Sequence, residues 1–243
     1  MKLKKRKILK IAAISVPALL LLVIGAFYMY TLDYYRADEA AVQAIASQEN
    51  SVDSLEKMWV FYPEQGQSSD SALIFYPGGK VEAAAYAPLL KQLSQQGITC
   101  VLLKMPFNLA VFDMNAADRV FEQLPLSEVK HWYIGGHSLG GAMASSYASK
   151  HVDKLEGMIL LGAYSVGATE LPTLAIYGSE DMIMDSAKLD NTPNQHVIEG
   201  GNHAYFGNYG EQKGDGLATI TREEQQRQTV EEIIDFILDE EKK

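Results

Sequence analysis

Within YIGGHSLGGAM (residues 133–143), Ser138 stands two residues after Gly136 and two before Gly140, the spacing of a nucleophilic serine on a sharp turn. A serine hydroxyl attacks poorly until a neighbouring base takes its proton and a third group holds that base. His203 in GGNHAYFG offers the base and Asp181 in GSEDMI the acid, in the chain order Ser, Asp, His. Glu180 is the rival carboxylate, but adjacent residues on a turn point apart, and Asp181 is the expected partner of the imidazole. Acyl transfer also needs backbone N–H groups aimed at the oxygen on which charge develops. Leu139, directly after the serine, is expected to give one. The loop IFYPGGKV is expected to give the other through the Gly79 N–H, with Lys80 the second choice, because Gly78 and Gly79 let backbone approach a substrate closely.

The serine pattern alone is weak, and its flanks decide. A serine forced into strained backbone angles between a strand and a helix needs small residues two before and two after, as Gly136 and Gly140 are. HWYIG before it reads as a buried strand and AMASSYASKHV after it as a helix. From residue 55 onward, apolar strand-like runs alternate with amphipathic stretches, the pattern of a mostly parallel sheet with helices on both faces. Strands are expected at 57–62, 71–76, 99–105, 131–136, 157–162, 173–178 and 195–200, and helices at 82–96, 115–124, 140–151 and 222–240. Asp181 and His203 then fall just past carboxyl ends of strands, where open parallel sheets place their ligands. The last helix opens on a capping box, Thr221 with Glu224, and its expected role is to cover a sheet face without taking part in chemistry.

The remaining composition bounds the setting. Of 243 residues, 47% are hydrophobic, enough for a sizeable core. Residues 1–10 carry six Lys and Arg and no acid, which leaves 15 basic against 31 acidic residues beyond them. So acidic a body argues against nucleic acid as a partner. The single cysteine, Cys100, excludes an internal disulfide and is expected in a buried strand. Residues 11–30 run twenty positions without a charge and end in aromatics, which predicts a single membrane helix. The basic tail, 1–10, is expected to stay cytoplasmic and the catalytic domain to face outward; a cleaved signal peptide is the alternative. Residues 31–54 are expected to form a stalk or a domain-edge helix, and 55–243 the folded domain.

IFYPGGKVEAAAYAPLL, GGHSLGGAM, IYGSEDMI and GGNHAYFGNYG together resemble the α/β-hydrolase superfamily, in particular its small lidless bacterial branch related to dienelactone hydrolases. The resemblance spans residues 55–240 and implies Ser138 as nucleophile, His203 as base, Asp181 as acid, and the Leu139 and Gly79 amides as oxyanion donors. Two departures stand out. Dienelactone hydrolases carry Cys where this chain has Ser138, and the His-Gly pair that often opens the oxyanion loop is here Pro77-Gly78. The connection AYSVGATELP is too short for a cap, so the site is expected to be open. Met105, Phe107 and Tyr205 are candidate apolar contacts for substrate, Lys80 a candidate polar one, and residues 208–220 are long enough for a flap. No metal spacing or phosphate-binding motif is present, and no cofactor is expected. The expected activity is a membrane-anchored serine hydrolase acting on small-molecule carboxylic esters. The alternatives are an acyltransferase using the same residues and a catalytically silent envelope-binding protein.

Overall fold

The computed structural model describes residues 2–46, 51–64, 66, 69–124, 126–167, 169–189, 192 and 194–242, with side chains of the first helix from residue 15 onward. It divides into two compact units, Met1–Tyr34 and Tyr35–Lys243. The first is one helix, α1 (Lys2–Leu32), with Pro17 inside it. At about 1.5 Å per residue it is about 46 Å long. Its stretch Ser15–Leu32 is exposed and, among the described residues, is the one helical stretch long and apolar enough to cross a bilayer. The side chains of the basic tail lie outside the described residues.

The second unit is built on an eight-stranded sheet, ordered β1-β2-β4-β3-β5-β6-β7-β8. The strands are β1 (Val52–Ser54), β2 (Met58–Phe61), β3 (Ser71–Tyr76), β4 (Thr99–Leu103), β5 (His131–His137), β6 (Gly157–Leu161), β7 (Thr173–Gly178) and β8 (Asn194–Ile198). From β4 across to β8 every pairing is parallel; β1 with β2 and β2 with β4 are antiparallel. Strands buried on both faces read as unbroken apolar runs, which is why SALIFY and TCVLL stand out in the sequence. Alternation then divides each run between two cores. Leu73, Phe75, Cys100 and Leu102 face one side, and Ile74, Tyr76, Val101 and Leu103 the other. Cys100 is fully buried, as expected, and burial pushes its thiol pKa up.

Helices α3 (Ala87–Gln95) and α6 (Arg222–Glu240) close the first core with Leu89, Leu90 and Leu93, and with Val230, Ile233 and Ile237. Helices α4 (Asp118–Gln123) and α5 (Leu139–Ala148) close the second with Val120, Ala144 and Tyr147. Two expected helices differ in detail. The run at 82–96 begins as a 3-10 turn, Ala83–Tyr86, before α3, and α4 is shorter than 115–124 because residues before it form turns. No helix or strand is described between β6 and β7, and the domain carries no cap.

The residues preceding the sheet pack on the same unit. Tyr35 lies beside the loop after β3, its N–H donating to Lys80 O at 2.8 Å while Glu82 N–H donates to Tyr35 O at 2.9 Å. Helix α2 (Glu39–Ala46) follows, capped by Asp38, whose Oδ1 accepts from Ala41 N–H at 2.9 Å and whose Oδ2 pairs with Arg222 at 2.8 Å. Residues 47–50 lie outside the described residues.

At the start of α6, Thr221 accepts from Glu224 N–H at 3.1 Å, one half of the expected capping box. The Glu224 carboxylate does not return the bond; it holds Arg227 and Gln228. Thr221→Ala should therefore cost about 1 kcal/mol, lowering the thermal midpoint by roughly 2–4 °C for a domain of this size. Thermal denaturation followed by circular dichroism checks it.

Candidate active site

The turn between β5 and α5 holds Ser138 at φ 52° and ψ −124°, a conformation that non-glycine residues adopt at a cost of about 1–3 kcal/mol. The Ser138 N–H is tied to Leu161 O on β6 at 2.9 Å. No side chain fits beside it. A Cβ on Gly136 would lie 2.6 Å from Tyr76 O, and one on Gly140 would lie 2.3 Å from both Tyr76 O and Pro77 O. The turn can form only with glycine at both places, so the spacing that marked Ser138 in the sequence has a steric origin.

Asp181 follows β7. Its Oδ1 accepts from the amides of Ile183 and Met184, both at 2.9 Å, which leaves Oδ2 to accept from His203 Nδ1 at 2.8 Å. Both side chains of the pair are 1% exposed. Glu180 points elsewhere and accepts from the Ser179 hydroxyl. The Nδ1–H donated to Asp181 leaves His203 Nε2 with a free lone pair. Nε2 is buried and has no hydrogen-bond partner among the described residues. It and Ser138 line one cleft of about 290 Å³, and no hydrogen bond joins the two residues in this conformation.

Several residues that the sequence did not mark hold the Asp–His pair. Gly162, at φ 49°, lies under it: a Cβ there would be 2.8 Å from His203 Nδ1 and 3.2 Å from Asp181 Oδ2. The buried amide of Gln225, on α6, accepts from Asn202 N–H at 3.0 Å and donates to Asn202 O at 2.8 Å, clamping the residue before the histidine. The helix expected only to cover a sheet face thus holds the His203 loop as well. Asp215 accepts from Ala204 N–H at 2.9 Å through Oδ2, and from Met182 N–H at 3.3 Å through Oδ1, so one carboxylate bridges the loops of Asp181 and His203. Residues 208–220, long enough for a flap, buttress the site from behind, and none of them lines the cleft. A lone amide within a helix and a lone acid in a loop carry no sequence signal of such a role.

The loop after β3 presents a short series of amides. Gly78 N–H donates to Tyr86 Oη at 3.0 Å, Lys80 N–H to Asn108 O at 2.7 Å, and Val81 N–H to Gly78 O at 3.3 Å. The Gly79 N–H makes no hydrogen bond among the described residues, nor does that of Leu139 at the head of α5. The two residues abut, since a Cβ on Gly79 would lie 2.7 Å from Leu139 Cδ2.

The four candidate substrate contacts lie outside the cleft lining. Met105 is buried in the second core, and Phe107 is exposed with its ring edge-on to Phe112. Tyr205 lies under the Arg222 guanidinium, and Lys80 is at φ 58° with its backbone tied to Asn108 and Tyr35. The cleft is instead walled by Ala142, Ala163, Tyr164, Ile183, Met184 and Lys188. These come from α5 and from the loops after β6 and β7, where unremarkable side chains gave no sign in the sequence. Lys188 Nζ donates to Tyr164 Oη at 3.0 Å, placing one cation on the rim. Among the described residues no group of His, Cys, Asp and Glu is arranged to hold a metal ion.

A search of curated protein sequences finds no match to the chain. Solved structures with the same fold include a dienelactone hydrolase from Anabaena variabilis (15% identity, TM-score 0.54, 74% of this chain and 93% of that one). Est1E from Butyrivibrio proteoclasticus with ferulic acid bound is similar at 12% identity and TM-score 0.54, over 74% of this chain and 95% of that one. A membrane phospholipase A described as a bacterial virulence factor matches at 12% identity and TM-score 0.57, over 93% of this chain and 98% of its own. The model of the alpha/beta hydrolase family matches residues 72–227. With that match covering more than half of the chain, and the eight-stranded sheet already in view, the protein belongs to the alpha/beta hydrolase family.

Proposed function

We propose that the protein is a membrane-anchored serine hydrolase that cleaves carboxylic esters through an acyl-enzyme. One observation carries the reading: a buried Asp181–His203 pair whose histidine, with Nε2 unpartnered, lines the same cleft as the strained Ser138. In this mechanism Ser138 Oγ attacks the ester carbonyl as His203 Nε2 takes its proton. The Gly79 and Leu139 amides receive the oxyanion, and the imidazolium passes its proton to the leaving alcohol. Water, deprotonated by the same Nε2, then attacks the acyl-enzyme carbonyl. The resulting intermediate collapses to the acid and frees Ser138. Asp181 holds the imidazole in the Nδ1–H tautomer and stabilises it while it is charged.

A small cleft with mostly apolar walls suits a short acyl chain. At about 30 Å³ per water-sized volume element, 290 Å³ holds a group of about ten heavy atoms, and longer chains would extend into solvent. The anchor reading rests on α1 and the basic residues before its apolar stretch, which favour a cytoplasmic N-terminus and a catalytic domain on the outer face. The match to a membrane phospholipase A over most of this chain supports the same setting.

Wild-type protein should react with a fluorophosphonate probe, and Ser138→Ala and His203→Ala should not. Ser138→Ala should keep its thermal midpoint while kcat falls by on the order of 10⁴-fold or more. Asp181→Asn should lower kcat by about 10³–10⁴-fold through loss of the correct tautomer. Retained turnover in Ser138→Ala would remove the serine from the mechanism. Among p-nitrophenyl esters, kcat/KM should be highest at two to six acyl carbons and fall by twelve. For the anchor, intact-mass measurement on protein extracted from membranes should find residues 1–30 still attached; a truncated soluble form would instead support a cleaved signal peptide.

A further inference from the structure

His137, beside the nucleophile, is 1% exposed, and no step of the proposed mechanism uses it. Its ring lies against that of His203, with centroids 4.4 Å apart, and is enclosed by the rings of Tyr86 at 5.7 Å, Phe206 at 5.7 Å and Tyr209 at 6.5 Å. Tyr86, fully buried at the end of the 3-10 turn before α3, places its hydroxyl 2.7 Å from His137 Nδ1 while accepting the Gly78 N–H at 3.0 Å. One arrangement of the protons uses the hydroxyl both as acceptor and as donor. In that arrangement the Gly78 amide donates to the hydroxyl oxygen and the hydroxyl proton goes to His137 Nδ1, while His137 carries its own proton on Nε2, which is buried and has no hydrogen-bond partner among the described residues. Burial holds the imidazole pKa well below its ordinary value and the phenol pKa well above its own, so both groups stay neutral and the arrangement persists across the working pH range.

Resting on the serine-hydrolase reading, we infer that Tyr86 is a positioning residue for the oxyanion site, acting through Gly78 and anchored by His137. The loop after β3 contains two consecutive glycines, and nothing in their side chains fixes the orientation of their peptides. The Tyr86 hydroxyl takes the amide on one side of Gly79 and the Asn108 carbonyl takes the amide on the other, Lys80. With both neighbours held, the Gly79 peptide is fixed beside Leu139 with its N–H unused among the described residues. The fit is close: a Cβ on Gly78 would lie 2.6 Å from Tyr86 Oη and 2.8 Å from His137 Nδ1, so this residue has to be glycine for the link to form. His137 is the last residue of β5 and immediately precedes Ser138, so the same chain ties the loop that receives the oxyanion to the strand that carries the nucleophile.

Tyr86→Phe removes the hydroxyl and keeps the ring that packs against Phe75 and Tyr209. Losing an oxyanion donor outright costs about 10²–10³-fold in kcat, so a donor left in place but loosely held should cost about 10–100-fold, with KM within twofold. A trifluoromethyl ketone, which adds Ser138 to form an oxyanion, should bind more weakly by the same factor; a residue important only for folding would not link these two losses. His137→Asn offers an amide oxygen to the Tyr86 proton and should keep most of kcat. His137→Leu should fall to the level of Tyr86→Phe, and the double variant should be no worse than either. Imidazole ¹⁵N spectra of the wild type need no substitution and should show His137 protonated on Nε2 alone. Full kcat and ketone affinity in Tyr86→Phe, or a His137 proton on Nδ1, would overturn the inference while fluorophosphonate labelling of the wild type left the serine-hydrolase reading intact. A folded wild type that the probe does not label would overturn both.

Discussion

The backbone of Ser138, held at φ 52° between β5 and α5, is the constraint from which the rest of the site follows. To hold a serine there, α5 must begin so close to β3 that Gly140 has no room for a side chain beneath Tyr76 O and Pro77 O. The same contact brings the start of α5 against the loop after β3, so the residue after the serine and Gly79 become neighbours. Gly141 meets Ala163 on the other side, where a Cβ would lie 2.6 Å from the alanine methyl, and the beginning of the β6–β7 connection is held in turn. One strained residue thus sets the spacing of three strand ends, and the sheet carries the strain because its strands β3, β4 and β6 are buried on both faces.

What supports the site is spread widely along the chain. Asp181 comes from the loop after β7, His203 from the loop after β8, and their brace, Asp215, from the segment beyond. Gln225 reaches in from α6, and Gly162 leaves room beneath the pair. These residues hydrogen-bond backbone or leave space for it, and buried backbone groups must find partners. A polar side chain meeting that need can be essential to the geometry without touching a substrate.

The central strands were legible in the sequence because burial on both faces makes them apolar throughout, and β3 and β7 fall at the expected residues. Strand β1 left no trace: it is three residues long, two of them exposed, and exists through its pairing with β2. Ser138, Asp181 and His203 were legible because glycine spacing and position after strand ends follow from sterics and topology. The cleft walls were not. Met105 and Phe107 follow a strand end as a substrate contact should, yet the chain turns one into the core and the other outward, and Ile183 and Met184 take the place beside the serine. Which way a loop side chain points depends on contacts made far away in sequence. The same holds for Tyr86 and His137, fifty-one residues apart and joined through one hydroxyl.

The clamp by Gln225 places part of the site in α6, which follows all eight strands of the sheet. A ribosome makes α6 after every strand of the sheet. Until that helix has emerged and docked, the Asn202 backbone lacks its two bonds to Gln225, and the histidine loop has one brace fewer beside Asp181. A chain still short of α6 would therefore hold His203 less firmly beside Asp181, and the buried pair would reach its full order only once that helix has docked.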